Sequence, residues 1–179
     1  MSQHLENLTV GDTILMRGPS GHMDYKQGGN YTTQLTPRSP VVKKQARHFA
    51  MIAGGTGLTP MLQVAKAIFR EKNCGGVKVS LLYANQTPAD ILCRDELDAF
   101  AKQYPDNFSV HYTVDRVGTE KKWKGSVGFI GEEMIRETLP GVDGGATHVL
   151  MCGPPPMIKF ACLPNLAKIG FGKDAIFTF

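Results

Sequence analysis

The chain has 179 residues and a mass of 19.5 kDa, about one domain or one domain with part of another attached. Hydrophobic residues make up 42% and charged residues 20%, an ordinary balance that excludes disorder throughout, collagen and coiled coil. The formal charge of +4 is too mild for the dense basic face that nucleic acid requires, although it is compatible with an acidic protein partner.

The opening MSQHLENLTVGD lacks the basic-then-apolar profile of a signal peptide, and no apolar run approaches the ~18 residues needed to span a bilayer. Alternation in DTILMRGPSGHMDY, broken by Gly18-Pro19 and Ser20-Gly21, predicts short antiparallel strands joined by tight turns. The following QGGNYTTQLTPRSPVVKKQAR is polar, basic and rich in Gly and Pro, which predicts a loop and linker. From Arg47 onward short apolar runs alternate with segments of helical periodicity, the pattern of strands crossing over to parallel neighbours. HFAMIAG, VKVSLLYAN, FSVHYTVD, THVLMCG and the closing DAIFTF are the predicted strands. The first predicted helix places Met61, Val64, Ala65, Ile68 and Phe69 on one face and ends at Gly75-Gly76. The others span 95–104, 131–139 and 156–168, the last kinked by Pro164. The expected fold is α/β, a doubly wound parallel sheet, in which ligands bind beyond the carboxyl ends of the strands.

The residues just after each strand therefore carry the functional argument. Gly54-Gly55-Thr56-Gly57-Leu58-Thr59-Pro60 opens into the first helix, with Thr59 expected at the cap and Pro60 at the first helical position. Glycines that let the backbone approach, with the positive end of a helix dipole, suit an anion such as pyrophosphate; the plainer alternative is a capped turn. Cys152-Gly153-Pro154-Pro155-Pro156-Met157 also opens into a helix, and its three prolines form a rigid apolar wall that a flat ligand can approach at Gly153. Cys152 is either a polarizable neighbour of such a ring or a thiol that merely packs. Asp115 suits the two hydroxyls of an adenosine ribose and would repel a 2′-phosphate, or it is a turn residue. Phe129 suits an adenine ring, or it is a core aromatic before a helix. Lys121, Lys122 and Lys124 around Trp123 read as solvated charges, and Asp95-Glu96 and Glu132-Glu133 as first-turn carboxylates favoured by the helix dipole. The four cysteines lack CxxC or Cys/His ligand spacing, so no metal is expected and a reduced, intracellular chain is the simplest reading.

With GGTGLTPM, YTVD, GFIGEEMI and MCGPPPMI in that order, then FACLPNLAKIG and a terminal FTF, the chain resembles the NADH–cytochrome b5 reductases, among the ferredoxin–NADP⁺-reductase-like flavoenzymes. That resemblance implies an antiparallel flavin-binding barrel followed by an NADH-binding α/β domain, with hydride passing from NADH to FAD and electrons then going singly to the haem of cytochrome b5. On the matching positions, it implies that Gly54, Gly55, Thr56, Gly57 and Pro60 face the NADH pyrophosphate and that Thr59 also touches FAD. Asp115 would hold the adenosine ribose and set preference for NADH over NADPH, and Phe129 would lie beside the adenine. Cys152 would orient the nicotinamide for transfer, in a pocket shaped by Gly153, Pro154, Pro155 and Met157. Hydride transfer needs alignment at contact distance and no nucleophile. Met1 and Ser2 match positions at the FAD pyrophosphate.

The family's Arg-x-Tyr-Thr flavin motif and the lysine before Met-Ser-Gln have no counterpart here. The expected organisation is thus a remnant of the FAD-binding barrel at 1–35, a linker at 36–46 and the NADH-binding domain at 47–179. One reading is the C-terminal part of an NADH–cytochrome b5 reductase. A second is a module that holds NAD(H) without reductase activity of its own, because two strands cannot close a barrel. A third is the flavin–nicotinamide portion of a nitrate reductase. The resemblance further implies a monomer, cytosolic as given, whose family anchors to the endoplasmic reticulum or outer mitochondrial membrane through an N-terminal segment this sequence lacks.

Overall fold

The computed structural model describes residues 2–18, 20–118 and 122–179. A short helix α1 (Ser2–Glu6) precedes three strands, β1 (Met23–Tyr25), β2 (Asn30–Thr33) and β3 (Val42–Gln45), paired antiparallel in that order. The segment 12–17, read from its alternation as a strand, has no regular structure, and Leu15 and Met16 lie fully in solvent. No described strand pairs with it, and a strand without a neighbour has no ladder for its amides and carbonyls. Conversely, the region read as loop and linker contains both β2 and β3, so the linker at 36–46 ends in a strand. The lysines of VVKKQ mark an outer strand exposed to water, whose register with β2 (Tyr31 against Lys44, Thr33 against Val42) needs no apolar run.

β4 (His48–Gly54) is buried at every position after His48, which only a central strand covered on both faces can be. Helix α2 (Leu58–Phe69) leads from it to β5 (Lys78–Asn85), α3 (Arg94–Gln103), β6 (Phe108–Val114), β7 (Ser126–Val127), α4 (Glu132–Thr138) and β8 (Thr147–Cys152). A π-helix (Met157–Cys162), α5 (Leu163–Ile169) and β9 (Ile176–Thr178) complete the chain. The six strands form a parallel sheet in the order β7-β6-β5-β4-β8-β9, a doubly wound α/β arrangement as expected. One core holds Phe49, Met51, Met61, Ile68, Tyr83 and Leu97 on the α2 and α3 face; the other holds Ile52, Leu82, Ile135, Ile158 and Leu166 on the α4 and α5 face. Burying each such large side chain contributes about 1.5–3 kcal/mol relative to leaving it exposed. No helix among the described residues is long and apolar enough to cross a membrane.

Pro164 was expected to kink a helix; instead the turn before it widens into the π-helix. Proline offers no amide hydrogen and its ring crowds the carbonyl four residues earlier, here that of Phe160, so the preceding turn loosens.

The two sheets meet at the amino edge of the parallel one. Tyr31 of β2 packs edge-on against Phe49 at 5.6 Å, and its hydroxyl is hydrogen-bonded to Nδ1 of His148 in β8. The Tyr25 hydroxyl donates to Glu71 Oε1 at 2.6 Å, and the Gly28 amide donates to Glu71 Oε2 at 2.9 Å.

Candidate functional site at the carboxyl edge of the parallel sheet

The strand register brings the important chain ends level: Gly54 lies opposite Ala84, Ala53 opposite Cys152, and Asn85 opposite Val114. Beyond these ends the chain opens a cleft of about 890 Å³. Of the residues singled out from sequence, Gly54, Gly55, Thr56, Asp115, Phe129, Pro154 and Met157 line it together.

The loop after β4 turns at once into a 3-10 turn (Gly55–Gly57) and then α2, with Gly57 rather than Thr59 at the helix boundary. Thr59 already sits within the first helical turn, exposed, and its hydroxyl donates back to the Thr56 carbonyl at 3.2 Å. The expected cap is displaced because the 3-10 turn begins the helical bonding two residues early. A Cβ on Gly57 would lie 2.1 Å from the Cys152 carbonyl oxygen, so this glycine lets α2 start directly against the end of β8. Gly55 has φ of +53° with open space around it, a backbone requirement rather than a packing one. Its carbonyl accepts the Tyr83 hydroxyl at 3.0 Å from β5, which fixes the loop to the sheet beneath.

Asp115 is held by its own backbone: its amide donates to Asn85 O at 3.1 Å, and the Arg116 amide donates to Gln86 O at 3.1 Å. The carboxylate is left exposed at the cleft. Thr113 Oγ1 donates to Gly128 O at 2.9 Å and the Gly128 amide to Val114 O at 2.8 Å, which pins the next turn to the same strand. The core therefore takes Ile130, while Phe129 is 83% exposed; the alternative of a buried aromatic before α4 is excluded.

On the opposite side, Cys152 is half-buried at the end of β8, and burial pushes its thiol pKa up. It is a neutral thiol at neutral pH, not a nucleophilic thiolate. Gly153 is half-buried, and Pro154 and Pro156 line the cleft whereas Pro155 does not. Gly57, Thr59, Pro60, Cys152 and Gly153 support the cleft without lining it. Met1 lies outside the described residues, and for Ser2 only the backbone, at the start of α1, is described.

Sequence reasoning passed over Asn85, Gln86, Asp90 and Leu92 after β5, and Phe160 and Asn165 beyond β8, all of which line the cleft. Applying the strand-end rule to β5 would have found Asn85 and Gln86. Burial raises the Tyr83 phenol, an effect that the nearby Leu92 amide and Asn85 side chain offset only in part. Asn85 itself is buried, and its Nδ2, although beside the Tyr83 hydroxyl, makes no hydrogen bond of good geometry among the described residues. A buried donor without an acceptor is costly, by about 1–3 kcal/mol, and fits a site completed by a polar ligand. Among the described residues lining the cleft there is no Lys or Arg, so an anion would rely on backbone amides and the start of α2.

Residues 51–163 match the family model of the oxidoreductase NAD-binding domain. The chain belongs to this family. It is 47% identical to NADH-cytochrome b5 reductase 3 of Rattus norvegicus, across 100% of this chain and 58% of that protein. It is 45% identical to NADH-cytochrome b5 reductase 2 of Homo sapiens, across 100% of this chain and 63% of the relative. The crystal structure of the cytochrome b5 reductase domain of Ulva prolifera nitrate reductase superposes with a TM-score of 0.89 at 47% identity, covering 99% of this chain and 64% of that one. The chain thus spans about three fifths of the length of the NAD-binding oxidoreductases it matches.

Proposed function

We propose that the chain is the nucleotide-binding part of an NADH–cytochrome b5 reductase. It binds NADH across the carboxyl edge of the parallel sheet and orients the nicotinamide for hydride transfer to FAD, from which electrons pass singly to cytochrome b5. The observation that carries this reading is that one cleft gathers the glycine loop, Asp115, Phe129 and the Pro154–Met157 wall, residues from four separate strand ends. On this reading residues 47–179 are the NADH-binding domain, and β1 and β2 belong to the flavin side.

The residues fit that ligand. Gly54, Gly55, Thr56, Gly57 and Pro60 set the loop and helix start on which the pyrophosphate rests. Asp115 receives the ribose hydroxyls, and Phe129 offers the adenine an apolar face. The exposed Asp115 carboxylate repels a 2′-phosphate, which favours NADH over NADPH. Pro154 and Met157 hold the nicotinamide flat and exclude water from it, while Cys152, kept neutral by burial, with Gly153 and Pro155, sets the course of that wall from behind. Of the positions given to FAD by resemblance, Thr59 is the one whose side chain is described, and its exposed hydroxyl stands ready to meet the flavin. FAD, when bound, takes up the hydride and returns its electrons one at a time. The six basic against three acidic residues among the first fifty suit an acidic partner such as cytochrome b5. Relatives on both sides, the reductases and the nitrate reductase domain, share this nucleotide site in the proposal.

Titration of the chain with NADH and with NADPH tests the reading. NADH should bind at least tenfold more tightly, and Asp115→Thr should shrink that ratio to about threefold or less. If neither nucleotide binds, the proposal fails; if the variant still excludes NADPH as strictly as the parent, the role of Asp115 fails.

A further inference from the structure

Two large aromatic side chains stand exposed in the cleft: Phe129, at 83%, and Phe160, at 79%. They come from separate segments, the turn before α4 and the π-helix after β8. These segments are neighbours, because Ile130 and Ile135 share a core with Ile158, Cys162 and Leu166, and α4 packs against α5. Along the π-helix, Ile158 and Cys162 point into that core while Met157, Phe160 and Ala161 face the cleft. The wide turn has a local cause. Pro164 cannot donate to the Phe160 carbonyl, and in an α-helical register its ring would collide with it. Asn165 Nδ2 donates to the Ala161 carbonyl at 2.8 Å, satisfying an acceptor of the loosened turn from the side. Widened turns of this kind recur where a helix has to present side chains to a ligand.

A phenyl ring in water at the wall of a cleft gains most from a flat ring laid over it. We propose that Phe160 is a second aromatic contact, with Phe129, for the adenine ring of NADH, and that Pro164 is the positioning residue that presents it by imposing the π-turn. The inference rests on the NADH reading above. Adenine rather than nicotinamide is the ring concerned, because Phe160 lines the same cleft as Phe129 and Ile130, whereas Cys152, placed at the nicotinamide, does not line it.

The test is calorimetric titration of the whole chain with ADP, with NADH and with reduced nicotinamide mononucleotide. Phe160→Ala should weaken ADP and NADH binding about tenfold and leave the mononucleotide within twofold, and Phe160→Tyr should restore ADP binding. Pro164→Ala regains an amide hydrogen and should melt no lower than the parent, yet bind ADP about fivefold more weakly. That opposition of stability and affinity is not the signature of a merely structural proline. If Phe160→Ala binds ADP within twofold of the parent, or loses the mononucleotide instead, the adenine contact is overturned; unchanged ADP binding by Pro164→Ala overturns the positioning role. Failure of the parent itself to bind ADP or NADH would instead sink the NADH reading.

Discussion

The two edges of the parallel sheet are built from the same six strands and differ in what covers them. At the amino edge most polar side chains find partners inside the protein: His48 Nε2 with Ser80 Oγ at 2.9 Å, Ser109 Oγ to Ser80 Oγ at 3.0 Å, Asn107 Nδ2 to Val77 O at 3.0 Å, and His148 with Tyr31, whereas the buried Thr147 Oγ1 has none among the described residues. At the carboxyl edge, Asn85 Nδ2 makes no hydrogen bond of good geometry among the described residues, Asp115 is exposed, and Phe129 and Phe160 lie open. A covering sheet makes an edge that holds the molecule together. An edge whose carboxylate and apolar rings are left uncovered is the one at which a ligand gains contacts.

The sharpest way to break this contrast is at Gly57, where the start of α2 meets the end of β8 backbone to backbone. Gly57→Ala sets a methyl group 2.1 Å from the Cys152 carbonyl oxygen, and neither side can rotate away. We expect a loss of about 3 kcal/mol, read as a fall in Tm, together with loss of measurable NADH binding. An unchanged Tm would mean that α2 is not seated on β8 as described. A smaller effect is expected at Cys152. Burial holds its thiol above the usual value of 9.0, so the rate of NADH-driven flavin reduction should show no cysteine ionisation between about pH 6 and about pH 8. Cys152→Ala should slow that rate about tenfold while NADH affinity changes less than about twofold. A rate limb that rises with a cysteine pKa would replace the orienting role with a chemical one.

The smallest effects belong to the amino edge and should leave the ligand indifferent. Tyr31→Phe removes one buried hydrogen bond and should cost about 0.5–1.5 kcal/mol with NADH affinity unchanged. Burial lowers the pKa of His148, aided by the nearby Lys44 charge, and burial likewise lowers those of His48 and His111. For each, protons bind the unfolded chain first. The stability they contribute is therefore full above the ordinary histidine value of 6.5 and is lost as pH falls through it toward the folded value. Melting curves between about pH 5 and pH 8 should show this decline, and His148→Gln should make it shallower. A Tm that rises on acidification would reverse the assignment.

Sequence reading served the parallel sheet well because its strands are continuous apolar runs: HFAMIAG coincides with β4 to the residue. It served the antiparallel strands poorly because pairing, not composition, decides them. β3 is half lysine, and DTILMR alternates as a strand does but lies unpaired. The cleft was half legible. Glycines, prolines and a strand-end aspartate announce themselves by type, whereas Asn85 and Phe160 become informative only once burial and exposure are known. Pro164 did carry the signal of a disturbed helix, but whether a helix bends or widens depends on what the flanking turns pack against.

Tyr83 is wholly buried in the central sheet, and its hydroxyl fastens the carbonyl of Gly55. The first turn of the glycine loop is thereby tied to the hydrophobic interior and not left to order itself when a ligand arrives. Little conformational entropy then remains to be lost on association. The amides around Gly55 should exchange their hydrogens as slowly as those of the sheet beneath them, with or without nucleotide.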